Sequence, residues 1–399
     1  MEIRKLKPEE NVHRILMSSI CFTANAPEDR YPILQEPEKH TGGHENAWGA
    51  FDETGKLLSA MYVPFTQMMM HGQPVKIGQI CGVTTLPEAR NSRCVRKMFD
   101  VVMPMMKDEG AIFSYLYPFS HPFYRKFGYE HTFTRYKAKF PMSELSRYTY
   151  PNGIKVYDKG DPWHDIAKVY ATFTKDKNQP LARGDAQWKG LLNRDPHKNR
   201  QFTYVHYNAT GQPDAYIMYD GAYPDTPIHI KIRELAWTNK EGLYAMLGFV
   251  YGLRSEYDTV IWQLPGGLDI FGVVENANLV EISVDTMAMG RIMDVPAALN
   301  LIKPPATNSG SVAISINDSF MPCNTGTYSI SWENGQLSAE KSVAPQADAE
   351  MDVMTLAQLV TGYTNISQAQ HRRDVTIHSK FDELSAIFTQ KNIYLLEHF

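Results

Sequence analysis

Cysteine is scarce in this chain: four in 399 residues, Cys21, Cys81, Cys94 and Cys323, each standing alone. No pair has zinc-ligand or redox spacing, so a disulfide scaffold and a cysteine metal site are excluded, and reduced thiols in the cytoplasm are expected. Long apolar runs are missing too. No run reaches the ~18 residues that a membrane-spanning helix needs, and the start, MEIRKLKPEENVHRILMSS, lacks the apolar stretch of a secretory signal. Charge of one sign is also absent: 40 Lys and Arg face 44 Asp and Glu, a formal net charge of -4. Without a basic block the footprint of a nucleic-acid binder is missing. There is no HExxH zinc motif, no phosphate-binding P-loop and no Gly-x-Ser-x-Gly elbow, so no metal site and no serine hydrolase is expected.

What remains is an ordinary globular composition, 43% hydrophobic and 21% charged, on a chain long enough for two or three domains. Strand-like runs at Ala47–Phe51, Leu57–Phe65, Gln67–His71 and Val75–Thr85 are separated by polar, Gly-containing turns and predict antiparallel hairpins. Val95, Met98, Phe99, Val102, Met105 and Met106 then recur at helical steps. Pro104 is expected to disturb the last turn of that helix. A strand at Ala111–Tyr117, a brief helix at Pro122–Phe127 and a strand at Tyr129–Phe140 complete an α/β unit. The pattern restarts after Pro151, with a helix near Trp163–Phe173, strands at Phe202–Tyr207, Ala215–Tyr219 and His229–Trp237, and a helix from Gly242. From Met287 a third unit follows, with strands at Ser311–Asp318 and Thr327–Glu333 and helices at Met354–Val360 and Phe381–Phe388.

The chemistry-bearing stretch runs from Gly82 to Tyr129. It reads Gly82-Val83-Thr84-Thr85-Leu86-Pro87-Glu88-Ala89-Arg90, then a helix and a strand, then Pro118-Phe119-Ser120-His121-Pro122-Phe123-Tyr124-Arg125-Lys126-Phe127-Gly128-Tyr129. This resembles the acetyl-CoA site of the GNAT superfamily. The resemblance implies that Val83, Thr84 and Thr85 pair with the pantetheine arm and that Phe119 and Ser120 border the cofactor. Asn91, Ser92, Arg93, Cys94, Val95 and Arg96 would hold the diphosphate, since free N–H groups at a helix start form an anion site. Over its whole length the chain resembles the enhanced-intracellular-survival (Eis) N-acetyltransferases. Phe123–Tyr129, Met289-Gly290-Arg291-Ile292-Met293-Asp294-Val295, Ser331-Trp332-Glu333-Asn334-Gly335 and Met354–Leu359 carry that likeness. It implies an α/β (α+β) protein with a catalytic GNAT domain at 1–148, a second, atypical GNAT-like domain at 149–286 and a sterol-carrier-protein-like domain at 287–399. It further implies acetyl transfer from acetyl-CoA to a primary amine of aminoglycoside, polyamine or lysine type. A cytoplasmic homo-oligomer, as a hexamer, is implied as well.

One departure stands out. Where the superfamily loop has glycines, this chain reads Arg90-Asn91-Ser92-Arg93-Cys94-Val95. Glycine suits a backbone that closes on a ligand. Arg93 either pairs with a phosphate or fills the cradle, and the second case would leave a non-catalytic CoA- or apolar-ligand-binding protein. Tyr124 has two readings, a general acid for the departing thiolate by resemblance and one more ring of an aromatic core by spacing. Phe399 ends an apolar tail, Ile393-Tyr394-Leu395-Leu396-Glu397-His398-Phe399. That tail either completes a core or, by resemblance, carries an α-carboxylate base into the first domain. His40 and His44 flank Gly42 and Gly43 and read as a loop, His121 as a loop residue beside the site, and Pro265-Gly266-Gly267 as a loop without phosphate-binding spacing.

Overall fold

Alternating apolar residues build three sheets, and the chain exchanges strands between two of them. The computed structural model describes residues 1–22, 37–221, 228–343 and 346–397. Seven strands open the chain: β1 (Glu2–Lys5), β2 (Ala47–Phe51), β3 (Leu57–Tyr62), β4 (Phe65–Met70), β5 (Gln73–Thr85), β6 (Phe113–Leu116) and β7 (Glu130–His131). With the distant segment Met289–Ile292 they form an eight-stranded sheet, in which that segment lies between β6 and β7. The expected hairpins are present as β2–β3 and β4–β5. Helix α1 (Asn11–Cys21) precedes β2. Helix α2 (Cys94–Asp108) links β5 to β6, which run parallel. Pro104 lies on the exposed side of α2, as does Asp100, whose carbonyl loses its partner to the proline. Water can satisfy that carbonyl, so the helix continues to Asp108. The short helix α3 (His121–Arg125) ends before Gly128, as expected.

The second sheet has seven strands: β8 (Thr134–Pro141), β9 (Ile154–Tyr157), β10 (Gln201–Tyr207), β11 (Pro213–Asp220), β12 (His229–Trp237), β13 (Thr259–Leu264) and β14 (Glu281–Thr286), in the order β14-β8-β13-β12-β11-β10-β9. Helices α4 (His164–Thr174) and α5 (Asp185–Leu192) cover one face and α6 (Lys240–Gly252) the other, with Tyr216 and Ile217 of β11 facing opposite ways. β12 and β13 are parallel and joined through α6, repeating the β5–α2–β6 unit.

Two sequence expectations change here. The single strand Tyr129–Phe140 divides: Glu130–His131 stays in the first sheet, while Thr134–Pro141 crosses into the second. The crossing occurs at Thr132 and Phe133, both buried, with the Thr132 amide donating to the Ala288 carbonyl. The string Met289–Ile292, read as the start of the third domain, is β15 of the first sheet, and all four of its residues are buried. The first sheet therefore takes strands from both sides of residues 148 and 286, and the second from both sides of residue 148.

The third sheet, β16 (Gly310–Asn317), β17 (Gly326–Glu333), β18 (Gln336–Ser342), β19 (Ala349–Asp352) and β20 (Thr376–Ile377), packs with α7 (Val353–Thr361). Its core is continuous with that of the first sheet: Met68, Met70, Ile77 and Phe113 join Leu356, Leu359 and Val360 in one buried cluster. Fully buried Arg291 fastens the two units, donating to Asp318 at 2.6 Å and to the Phe127 carbonyl. Gly128 beside it has φ +77, and a Cβ there would overlap the guanidinium.

Candidate active site

Strands β5 and β6 part company partway along their length. Their pairing ends at Ile80↔Leu116, yet β5 continues to Thr85, held only on its β3 side. Gly82 at the split has φ +54. Beyond it the β6-facing edge of Val83–Thr85 has no strand partner among the described residues; the Thr85 carbonyl there meets the Cys21 thiol at 3.5 Å, and the other peptide groups of that edge can pair with an extended ligand. The other edge is locked: Ser59 donates to the Thr84 carbonyl at 2.5 Å and lies 2.9 Å from the Thr85 hydroxyl, and the Thr84 hydroxyl donates to Ala60 at 3.4 Å.

The loop after β5 settles the conformation of its unusual residues. Asn91 has φ 70, and Arg93, the residue before α2, has φ 62 and ψ 22. Arg93 thus adopts the left-handed backbone that glycine would supply, and alternating backbone of this kind turns successive N–H groups toward an anion. Its side chain is exposed and has no hydrogen-bond or ion-pair partner among the described residues. Asn91, Ser92 and Arg96 are exposed, whereas Cys94 is buried and Val95 packs beside it, so the last two can offer only backbone N–H groups. The Ser92 hydroxyl donates to the Ala89 carbonyl and lies 3.2 Å from the Cys94 Sγ. No side chain caps α2 and no acidic residue occupies its first turn, while Arg90, Arg93, Arg96 and Lys97 surround that end. This is the electrostatics of an anion site.

The second unit lacks it. At the start of α6 the Asn239 side chain accepts from the Gly242 amide at 2.7 Å, and Glu241 stands in the first turn. One of the free donors is consumed, and a like charge meets any phosphate.

Across the first split, Tyr124 sits in α3. Its ring is 3% exposed and makes edge contacts with Phe99, Phe119, Phe123 and Tyr129, so it is a member of an aromatic cluster. Its hydroxyl nevertheless has no hydrogen-bond partner among the described residues, and burial pushes the phenol up to about 12. Such a group stays protonated at neutral pH and is free to donate. Phe119, 76% exposed, and half-buried Ser120 lie at the start of α3. His121 and His131 face each other with ring centres 5.9 Å apart, and the His121 Nε2 is buried without a partner among the described residues. Among the described residues no three His, Cys, Asp or Glu side chains cluster as metal ligands. His44 bonds the Thr41 carbonyl in a loop, and the side chain of His40 lies outside the described residues.

Phe399 also lies outside the described residues, but the tail leading to it is placed through Glu397. Ile393 bridges Asn178, and the Tyr394 hydroxyl donates to Glu234 at 2.8 Å. Gly266 and Gly267 abut Ile393 and Asn392 so closely that a Cβ at either would collide, which explains the glycines the sequence left as a plain loop. Glu234 follows the last β12–β13 pair, Ile232↔Trp262, so the tail enters the second domain where those strands part. It then reaches the first domain, where the Tyr117 hydroxyl, just beyond β6, donates to the Glu397 carbonyl. Arg183, 1% exposed, holds Glu397 at 2.5 Å and Glu234 at 3.0 Å, with Tyr170 and Trp188 against its guanidinium. Beside this network lies a cavity of about 360 Å³, lined by Arg135, Arg183, Arg233, Glu234, Leu396 and Glu397 among others. Apart from the tail, none of these residues stood out in the sequence, because they come from β8, β12 and the loop before α5.

A split parallel pair leading into an uncapped cationic helix start defines a GNAT acyltransferase domain. Residues 2–132 match an acetyltransferase (GNAT) domain family, residues 180–292 a second acetyltransferase (GNAT) domain family and residues 295–396 the sterol carrier protein domain family. The chain thus carries two GNAT domains and a sterol-carrier-protein-like domain, and is an acyltransferase of the GNAT type. Its fold extends over complete solved structures. A conserved protein from Enterococcus faecalis V583, described as a probable N-acyltransferase, is 20% identical with a TM-score of 0.87, covering 100% of this chain and 99% of that one. The GCN5-related N-acetyltransferase from Anabaena variabilis is 19% identical with a TM-score of 0.87, and 100% of each chain is covered. Eis1 from Mycobacterium abscessus is 16% identical with a TM-score of 0.79, again over 100% of each. No sequence among curated proteins matches this one.

Proposed function

We propose that this chain transfers the acetyl group of acetyl-CoA to a primary amine by direct attack, at the split between β5 and β6. The observation that carries the reading is the uncapped start of α2, with four cations close to it in sequence, and a buried phenol in α3 whose hydroxyl has no partner among the described residues. Val83–Thr85 would pair with the pantetheine arm and polarise the thioester carbonyl. N–H groups from Asn91 to Arg96 would hold the diphosphate, with Arg93 as a phosphate partner, and Phe119 and Ser120 would border the cofactor.

The amine nitrogen attacks the thioester carbon, the tetrahedral oxyanion collapses and the C–S bond breaks. Tyr124 gives its proton to the departing thiolate. The proton lost by the amine goes to the α-carboxylate of Phe399, directly or through water. A free α-carboxyl has a pKa of ~3.3–3.7, so this base works only when its surroundings disfavour its charge. The course of the tail to Tyr117 supports that role. Acceptors of aminoglycoside, polyamine or lysine type fit direct attack. The proposal includes a cytoplasmic homo-oligomer, as a hexamer. Four free cysteines fit the compartment, and the exposed Tyr136, Ile282 and Val284 along β8 and β14 offer an assembly surface.

The test is direct. Acetyl-CoA at about 100 times its dissociation constant should stabilise the chain by about 2.7 kcal/mol, and thiol should be released when a primary amine is added. A few polar residues appended after Phe399 should abolish turnover while acetyl-CoA still binds. No stabilisation and no thiol with any amine would leave a non-catalytic binding protein.

A further inference from the structure

The cavity beside the tail holds more positive charge than its own carboxylates balance. Among the described residues Arg135, Lys159, Arg183, Arg194, Lys231 and Arg233 line it, against Glu234 and Glu397. Both carboxylates are taken by Arg183. Asp220 lies 3.9 Å from Lys231 and 3.6 Å from Arg233 but does not line the cavity, and Arg194 leans on Gln201 at 3.3 Å. Arg135 is different. It is half-buried, its Nε is buried without an acceptor, and its guanidinium has no hydrogen-bond or ion-pair partner among the described residues. A buried Nε–H left without an acceptor is costly, and a carboxylate or phosphate is a group that satisfies a guanidinium.

The tail links the cavity to the first domain. The cavity wall includes Leu396 and Glu397, and the Glu397 carbonyl takes the bond from Tyr117, next to Leu116, where the split opens. Arg135 itself interacts electrostatically with Tyr117, with Asp285 opposite it on β14 and with Arg233, and Asp285 is already bound to Lys137 at 2.5 Å. We propose that this cavity receives the acceptor, and that the acceptor is a primary amine bearing a carboxylate or phosphate, its acid group held by Arg135 and Arg233. The inference rests on the amine-transfer reading and narrows it: polycations such as aminoglycosides and polyamines meet a field of their own sign here.

Four amines of similar length separate the cases: 5-aminopentanoate, 5-aminopentyl phosphate, pentylamine and cadaverine, each assayed with acetyl-CoA by thiol release on the full chain. The kcat/KM of one anionic amine should exceed that of pentylamine on the order of 10- to 100-fold, with cadaverine below both. The better of the two anions names the acid group. In Arg135→Gln the ratio of anionic to uncharged amine should fall toward one, and Arg233→Gln, on an exposed side chain, should move it the same way. Cadaverine matching the anionic amines, or an unchanged ratio in both variants, would overturn the inference. If acetyl-CoA binds but no amine is turned over, the transfer reading fails, and calorimetry with 5-aminopentanoate and inorganic phosphate decides the cavity alone. Heat that Arg135→Gln abolishes keeps the anion site; no heat with the unaltered chain removes it.

Discussion

Arg93 and Tyr124 show how one residue can satisfy two demands. A left-handed residue costs arginine about 1–2 kcal/mol more than glycine, yet Arg93 holds that conformation with its side chain in solvent. Replacement by glycine exchanges this strain for freedom in the unfolded chain, so stability should change by less than about 1 kcal/mol. Acetyl-CoA should nevertheless bind on the order of tenfold more weakly, because a cation beside the diphosphate is gone. Calorimetry with Arg93→Gly measures both, and undiminished affinity would mean the guanidinium is idle. For Tyr124, the ring serves packing and the hydroxyl serves chemistry. Tyr124→Phe removes an oxygen with no partner among the described residues, so the fold should persist while kcat falls by about 10²–10⁴. The aromatic-core reading and the acid reading are therefore compatible: spacing alone identifies the ring, and only the free hydroxyl separates the roles.

At the scale of elements, the same β–α–β unit occurs twice with different ends. α2 starts uncapped among cations, whereas α6 starts with Asn239 on its own amide and Glu241 in its first turn. A second contrast links the hairpin β4–β5 to α7, through His71 donating from Nε2 to the Val360 carbonyl at 2.7 Å. Burial lowers His71 to about 4, and burial, with a smaller push from His121, lowers His131 to about 4 as well. In the unfolded chain both protonate near 6.5. Between these values the unfolded chain binds more protons. Stability is thus complete above about pH 6.5 and is lost as pH falls toward 4, at about 1.4 kcal/mol per unit for each histidine. Urea midpoints measured from about pH 7 to 5 should show the decline, and His71→Gln should roughly halve it, His131 keeping its share. A flat profile in the unaltered chain would contradict the buried neutral state.

For the whole molecule, strand exchange is the decisive feature. The gap between β6 and β7 is filled by Met289–Ile292, and the core of the first sheet continues into the third unit. Residues 1–148 expressed alone lose that strand, expose Met68, Met70, Ile77 and Phe113, and leave β8 without β13 and β14. They should be insoluble or molten, binding hydrophobic dye and melting without a sharp transition. A cooperative melt of that fragment would show that the exchange is dispensable. The tail adds a second tie: Arg183→Ala leaves Glu234 and Glu397 buried without their cation, a change of the kind that costs about 3–5 kcal/mol.

Local pattern was enough for most elements, because apolar spacing, turns and caps act over a few residues. Hence the hairpins of the first sheet, the helix from Cys94, the short helix carrying Tyr124 and the three-unit order are all legible in the residues. The departure at Arg93 was visible too, but its consequence depends on a backbone angle that a string of letters does not carry. Tertiary structure alone decided that Tyr129–Phe140 divides between two sheets and that Met289–Ile292 returns to the first. It also decided that Arg135, Arg183, Glu234 and Glu397 meet around one cavity. The physical reason is sequence distance: these pairings join residues far apart in the chain, chosen by which edge is open and which charge is unpaired once every other element is in place.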